Sequence, residues 1–403
     1  MMEYEALYEY YEGAEILPTH GNFTSRQDLL DYERHRKDLF LNKLSLHPRF
    51  FAGADVLEIG PDTGEKTLVY AQWGANCHVV EPNRKAHPVL NNYFKQFGLG
   101  ERLKSLNALD LKQYAESGLD TDRFDAVVAE GFIYTVRPGR MWMDLFARIL
   151  KKDGLLILFY CEKFGGFIEL FYKVIHQRIM ALTGMTSFEA ARAIFQNKWD
   201  SIPHTRALEA WVFDVLENPF VRNGFFYDPV WLCRAMQKHG FRLYSAWPNY
   251  DDKSHVCWFK QPMSMQEELE HQVDTIRRNR LTHLFGRTHA LVAQDPEVER
   301  KLTRLLRVSD GLISTFDMAL AQECQDLLQW LKGFMPERTM LASAADTRRA
   351  VKAVASLIKI MELLMASKAT EAISFCASDN AFIETWGMPS HFSIFHKLGD
   401  STS

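Results

Sequence analysis

The residues best suited to do chemistry lie in a short glycine-containing segment near position 60. Residues 55–67 read DVLEIGPDTGEKT: an apolar run ends at Glu58, the chain turns through Gly60 and Gly64, and a helix is predicted from about Glu65. Glycine adopts positive φ at little cost and lets the backbone approach a ligand closely. A strand, a glycine loop and a helix in this order indicate a ligand held against the loop.

Two further acidic residues extend this pattern. Glu81 ends the second apolar run, in VVEPN, where a carboxylate can accept hydrogen bonds from both ribose hydroxyls of a nucleoside. Asp110 follows the third run, in NALD, where it or its neighbour Leu109 can meet an adenine edge. One glycine loop alone is weak evidence, but the loop and the two acids together predict a nucleoside-bearing cofactor.

These residues need a scaffold that gathers the ends of several strands. Strand-like runs alternate with helical segments about every 20–25 residues, which is typical of βαβ units. The runs are continuously apolar, as in a parallel sheet buried on both faces. The predicted fold class is therefore α/β with a doubly wound sheet, and its first five strands are DVLEIG, NCHVVEPN, RLKSLNALD, FDAVVAEG and DGLLILFYCE.

Several of these stretches resemble one family. Residues 58–64, EIGPDTG, resemble the first motif, E-x-G-x-G-x-G, of class I S-adenosylmethionine-dependent methyltransferases. Residues 124–131 and 147–160 resemble the family's fourth-strand motif and its turn into the fifth strand. The resemblance covers about residues 30–260. It implies a seven-stranded Rossmann-like sheet whose last strand runs antiparallel, and S-adenosylmethionine as the cofactor.

The resemblance also implies roles for particular residues. It places Glu81 at the ribose-binding acid, Asp110 at the adenine-contacting acid, and Glu130 at the end of strand four, facing the transferring methyl group. The sequence departs from the pattern at Asp62, which replaces the middle glycine, and at Asp153. Asp62 puts a negative charge near the cofactor, which either helps to hold the sulfonium or marks a weakened site. The predicted cofactor-binding residues are Glu58, Gly60, Asp62, Gly64, Glu81, Leu109, Asp110 and Glu130.

A dehydrogenase-type dinucleotide site is the nearest alternative for such a fold. That site prefers G-x-G-x-x-G, and Gly60 and Gly64 are four residues apart.

Catalytic and substrate-binding candidates are sparser. Glu130 and His204 are predicted to be catalytic, and the alternatives are a loop carboxylate and a helix-start histidine beside a capping Thr205. The aromatic residues of 164–227 form either a wall over the substrate or helix packing, and most are expected in packing. Substrate contacts are predicted at Tyr134, Arg206, Trp211 and Tyr227.

Composition excludes several classes. The 403 residues carry a net charge of −4 without a long Lys/Arg run, which disfavours nucleic acid as the main partner. The six cysteines form no CxxC pair, and the histidines lack metal-ligand spacing, so no metal is predicted. With no signal-peptide pattern and no run of about 18 apolar residues, the expected setting is the cytoplasm, away from membranes.

The domain prediction has five parts. We expect an N-terminal helical cap at 1–50, a cofactor-binding domain at 51–161 and 226–260, and a helical substrate lid at 162–225. A helical domain follows at 261–382, and a terminal strand and tail at 383–403. Residues 255–260 and 391–397 compete for the last sheet strand, and 255–260 is favoured. The helical regions are a candidate homodimer surface.

The predicted function is methyl transfer to an oxygen or nitrogen of a small-molecule or glycan-type acceptor. The tail, Trp386 to Phe392, adds a W-G-x-P-x-H resemblance to bacterial methyltransferases of glycan and cell-surface loci. Two alternatives stay open. The first is a degenerate methyltransferase fold that serves as a protein-interaction module, and the second is a protein or RNA methyltransferase, which the absence of a D/N-P-P motif disfavours.

Overall fold

The computed structural model describes residues 3–13, 23–118, 121, 123–137, 139–202, 207–251, 263–286, 290–292, 296–341 and 344–399. The first elements in chain order are α1 (Glu3–Glu12), α2 (Arg26–Asp38), β1 (Asp55–Ile59), α3 (Glu65–Gln72), β2 (Asn76–Val80), α4 (His87–Gln96), β3 (Leu103–Asn107), α5 (Leu111–Glu116), β4 (Phe124–Glu130), α6 (Gly139–Ile149) and β5 (Leu150–Cys161). Short helical turns at Leu39–Lys43, Pro48–Phe51, Gly100–Arg102 and Ile133–Thr135 join some of them.

The remaining elements are mostly helical. They are α7 (Phe167–Thr183), α8 (Ser187–Asp200), α9 (Leu208–Trp211), which a π-helical turn at Val212–Glu217 continues, α10 (Pro229–Lys238), β6 (Phe241–Trp247), α11 (Met265–Arg278), α12 (Arg280–Phe285), β7 (Ala290–Val292), α13 (Pro296–Ser314), α14 (Met318–Arg338), β8 (Thr339–Leu341), α15 (Ala344–Met365), α16 (Ala369–Ser378), α17 (Asn380–Ile383) and β9 (Ser390–Lys397).

The chain divides into two compact units. The first, the sheet unit, comprises Met1–Tyr160, Pro229–Val273 and His391–Ser403. The second, the helical unit, comprises Cys161–Asp228 and Asp274–Ser390. Residues 162–225, predicted as a lid, thus share one unit with residues 274–382 of the predicted helical domain, while the start of that domain, up to Val273, belongs to the sheet unit. Their apolar faces pack into one core, since the cluster of buried side chains runs from Phe164 through Phe226 to Phe382.

The sheet unit contains a seven-stranded sheet in the order β3-β2-β1-β4-β5-β9-β6. β1 pairs in parallel with β2 and β4, β2 with β3, and β4 with β5, while β6 and β9 are antiparallel. This confirms the predicted seven-stranded Rossmann-like sheet. Central strands such as β4 are apolar because both faces are covered: Ala126 and Val128 on one face, and Val127 and Ala129 on the other, are fully buried.

The register brings the carboxyl ends of the first strands to one edge. Ile59 lies opposite Val80 and Ala129, and Val80 lies opposite Asn107. The pairing continues one residue further, where the backbone N–H of Gly60 donates to Val80 at 2.8 Å. The loops that follow β1, β2 and β4 therefore start side by side, as the predicted cofactor site requires.

The preference for 255–260 as the last strand was wrong. The antiparallel strand beside β6 is β9, in which Ile394 is fully buried, whereas residues 255–260 lie outside the described residues. Residues 255–260 are a continuous apolar run and 391–397 alternate, and both patterns are typical of a strand, so periodicity could not choose between them. Pairing between segments more than 140 residues apart is set by tertiary packing.

We predict that Ile394→Ala lowers the free energy of unfolding by about 2–5 kcal/mol, because it opens a cavity in the core of the sheet unit. His396→Ala, two residues along the same strand and half-buried, should cost less than about 1 kcal/mol. Urea unfolding followed by circular dichroism measures both. Equal losses would contradict the placement of Ile394 in the core.

Candidate functional site

The glycine loop between β1 and α3 has the backbone conformation that its sequence indicated. Gly60 has φ 66° and Gly64 has φ 83°, a region that favours glycine. A Cβ on Gly60 would lie 2.9 Å from the Phe132 ring, and one on Gly64 would lie 2.7 Å from Leu90. Asp62, where the family pattern has glycine, also has positive φ, at 54°. Aspartate tolerates this region better than most side chains, so the loop keeps its shape with the extra charge.

Glu81 follows β2 directly and is only 4% exposed. Each carboxylate oxygen accepts one backbone N–H: Oε2 from Asp62 and Oε1 from Asn83, both at 2.7 Å. Burial raises the pKa of Glu81 to about 8; the Asn83 N–H opposes this, and the Asp62 charge adds to it. The carboxylate retains acceptor capacity on both oxygens, which fits the two hydroxyls of a ribose.

Glu58 lies within β1 and is buried beneath the loop. Its Oε2 accepts a 2.6 Å hydrogen bond from the Thr67 hydroxyl of α3. Burial raises the pKa of Glu58 to about 7, while the nearby Lys66 ammonium lowers it. The side chain joins β1 to α3 directly behind the turn.

Glu130, the last residue of β4, is enclosed by an ion cluster. Arg36 donates two hydrogen bonds to its carboxylate, at 2.6 and 3.0 Å, and the Tyr70 hydroxyl donates a third at 2.9 Å. Lys66 Nζ lies 3.3 Å from the second oxygen. Burial alone would raise the pKa of Glu130, but Arg36 and Lys66 together lower it to about 2. A carboxylate held in this way is a poor proton acceptor and a strong anchor.

Asp110 caps the start of α5. Its Oδ1 accepts the Gln113 N–H at 2.8 Å, and Gln113 Oε1 accepts the Asp110 N–H at 3.0 Å, which is a capping box. Asp110 and Leu109 are half-buried beyond the end of β3, on the edge where Gly60 and Glu81 stand. The described geometry thus brings together the loop and the acids at the carboxyl ends of β2, β3 and β4.

The predicted substrate contacts are distributed over both units. Tyr134 lies in the turn that follows β4 in the sheet unit and is buried. Trp211 belongs to the helical unit, where its ring lies 5.3 Å from Trp199 and 5.4 Å from Phe195. Tyr227, in the same unit, donates its backbone N–H to Cys161 at 2.9 Å. His204 and Arg206 lie outside the described residues.

The sequence did not predict the residues that bind the Glu130 carboxylate, namely Arg36, Lys66 and Tyr70. Arg36 is buried although it is charged, and it comes seven residues after buried Leu29 and four before buried Phe40. That spacing puts an arginine on the apolar face of a helix. A charge in such a position needs a buried counter-ion, so the pattern could have indicated an acidic partner.

Fold and site together define a nucleoside-cofactor-binding protein of the Rossmann-like class. Residues 30–246, more than half of the chain, match the family model described as a methyltransferase domain. The chain belongs to this methyltransferase family, which confirms the resemblance stated above, and its cofactor is S-adenosylmethionine.

Structural relatives are distant in sequence. A putative sarcosine dimethylglycine methyltransferase from Galdieria sulphuraria is 9% identical, with 98% of each chain covered and a TM-score of 0.35. Magnesium protoporphyrin IX methyltransferase from Synechocystis PCC 6803 is 10% identical over 60% of this chain and 91% of its own, with a TM-score of 0.37. No curated protein sequence matches the chain. Among the described helices, none has the length and hydropathy needed to cross a bilayer.

We predict that Arg36→Met lowers the free energy of unfolding by about 3–5 kcal/mol, because it leaves a buried carboxylate without its main counter-ion. Lys66→Met is the matched variant. Its side chain is 22% exposed and approaches the same carboxylate at 3.3 Å, so it should cost clearly less. Urea unfolding at pH 7 compares the two, and a larger loss for Lys66→Met would contradict the assignment of Arg36 as the main partner.

Proposed function

We propose that the protein is an active methyltransferase that moves the methyl group of S-adenosylmethionine to an oxygen or nitrogen of a small-molecule or glycan-type acceptor. The observation that carries the proposal is the hydrogen bond between the backbone of the glycine loop and the carboxylate of Glu81. The backbone N–H of Asp62 donates to one oxygen of the buried Glu81 carboxylate. The adjoining turn contains Gly60 and Gly64, where neighbouring residues leave no room for a side chain. This arrangement suits the adenosine part of the cofactor.

The bound cofactor would supply an already activated methyl group, so the chain's residues need only bind, orient and exclude water. Glu81 would accept the ribose hydroxyls, and Leu109 and Asp110 would border the adenine. The loop backbone at Gly60, Asp62 and Gly64 would lie against the cofactor. Glu58 would hold the loop's supporting helix in place through Thr67.

Glu130 was expected to be catalytic, and its surroundings favour a different role. Its low pKa and its three bound partners suit a residue that fixes the end of β4. A hydroxyl or ammonium acceptor needs a base, and His204 stays our candidate for it. Tyr134, close after β4 in the sheet unit, and Arg206 stay candidates for acceptor contacts. Trp211 and Tyr227 are buried in the helical unit, which favours packing for most of their surface.

The acceptor class rests on charge and motifs. The net charge of −4 and the AEGF sequence at the end of strand four, in place of a D/N-P-P motif, favour a small molecule or glycan over RNA or protein. The described cysteines are free thiols, in agreement with the reducing cytoplasm that we propose as the setting.

One observation favours the interaction-module alternative, namely Asp62 in place of a loop glycine. Its positive φ leaves the loop shape intact, so the question is whether the site still binds its cofactor. Binding separates the two functions, because an interaction module has no need of it.

We predict that the protein binds S-adenosylmethionine and S-adenosylhomocysteine in isothermal titration, and that Glu81→Ala weakens both at least about tenfold through lost charge-assisted hydrogen bonds. Glu101→Ala, which removes an exposed acid before β3, should bind like the wild type. Circular dichroism checks that each variant is folded. Absence of binding by the wild type would favour the interaction module.

The acceptor class needs a separate measurement. With methyl-labelled S-adenosylmethionine and a cell extract split into small-molecule, glycan, protein and RNA fractions, we expect label in the first two. Label in protein or RNA alone would overturn the proposed acceptor class and leave the cofactor assignment intact.

A further inference from the structure

Two buried glutamates on the same sheet edge have opposite electrostatic surroundings. Glu130 faces the cations Arg36 and Lys66. Glu81 is buried to a similar extent, yet the charges that act on it most strongly are the carboxylates of Asp62 and Glu58. Within the described residues Glu81 forms no ion pair. Backbone N–H groups alone therefore compensate its charge.

Such surroundings favour a proton on Glu81 when the site is empty. Taking a carboxylate out of water without a cation disfavours its charged form, and a like charge nearby adds to the effect. The pKa of about 8 follows from this burial and from Asp62. Two further titratable groups lie nearby: Glu58, whose charge also favours the proton, and His87, whose Nε2 donates to the backbone carbonyl of Glu81 at 2.7 Å and so leaves the carboxyl group itself uncompensated.

A ribose diol requires the opposite protonation state. A carboxylate has about four acceptor sites, and the N–H groups of Asp62 and Asn83 occupy two of them. Two hydroxyl donors fill the remaining two. A neutral carboxyl group spends one of these positions on its own proton, so it cannot accept from both hydroxyls.

We infer that the ribose of the cofactor binds Glu81 only as the carboxylate, so that cofactor binding expels a proton, and that Asp62 strengthens this coupling. The inference rests on the proposed function. On binding, the O–H bond of the carboxyl group breaks, its electron pair stays on Glu81, the proton passes to the buffer, and the ribose hydroxyls donate to the two oxygens. Burial of Glu81 is the main cause of this pH dependence, and the Asp62 charge adds to it.

The sign of the effect follows directly. Below pH 8 the empty site holds the proton and the occupied site does not, so affinity rises with pH. For S-adenosylhomocysteine we expect about a tenfold gain in affinity from pH 6 to pH 7, and a plateau above about pH 8. At pH 7 each binding event should release most of one proton, because the pKa of Glu81 in the empty site is raised to about 8.

Isothermal titration with S-adenosylhomocysteine between pH 6.0 and 7.5 tests this. Repeating each titration in buffers with different ionisation enthalpies counts the protons released, and the count does not depend on turnover or on the acceptor. Tight binding with no proton release and no pH dependence would overturn the inference and leave the proposed function standing. Failure to bind at all would overturn the proposed function as well.

Variants assign the proton to its source. Asp62→Asn removes the like charge, so we expect fewer protons released at pH 7 and tighter binding there. Asp153→Asn is the matched control, because Asp153 is another aspartate with positive φ, at 63°, and should release protons like the wild type. His87→Gln should retain the release. Release that Asp62→Asn leaves unchanged, or that His87→Gln abolishes, would contradict the roles given to Asp62 and Glu81.

Discussion

The site depends on how three buried carboxylates are compensated at one edge of a parallel sheet. Burying an ionised carboxylate costs several kcal/mol unless hydrogen bonds or opposite charges replace the lost water. Glu130 is compensated by cations, Glu58 by the Lys66 ammonium and the Thr67 hydroxyl, and Glu81 by two backbone N–H groups. The three kinds of compensation suit three different roles: Glu130 anchors the end of β4, Glu58 supports α3, and Glu81 is the candidate binding group. The residue type is the same in each case, and the surroundings decide the role.

The compensation of Glu130 also links distant parts of the sequence. Arg36 lies 94 residues before Glu130, on a helix that precedes the first strand. Its guanidinium lies 5.1 Å from the Phe40 ring and donates to Tyr70 of α3. Helix α2 is therefore fixed to the end of β4 and to α3, the helix that follows the glycine loop. A cap held by a buried ion pair keeps the loop and the end of β4 in one rigid arrangement, which orientation-dependent chemistry needs.

Much of the sheet unit could be predicted from the sequence, because its signals are local. The run around β1, the turn glycines and the acid after β2 are each read within a few residues, and parallel strands of a doubly wound sheet meet at one edge by topology. The partners of Glu130 could not be read in this way. An arginine within a helix pattern indicates an unusual position, but only the folded chain shows which acid it meets. The closing strand is a similar case, since 255–260 and 391–397 are both short apolar segments of strand length.

The position of β9 has a consequence for how the chain folds. The chain passes between the two units four times, and the strand between β5 and β6 comes from the last residues. The sheet is therefore complete only after the whole helical unit has been traversed, and the pairing of β6 with β9 closes a loop of more than 140 residues. The entropy of closing a flexible loop of that length grows only with its logarithm, and a helical unit folded on its own core shortens the flexible length further. A large insertion at this point is thus compatible with a stable sheet. The insertion is expected to slow folding, because such long-range contacts form late.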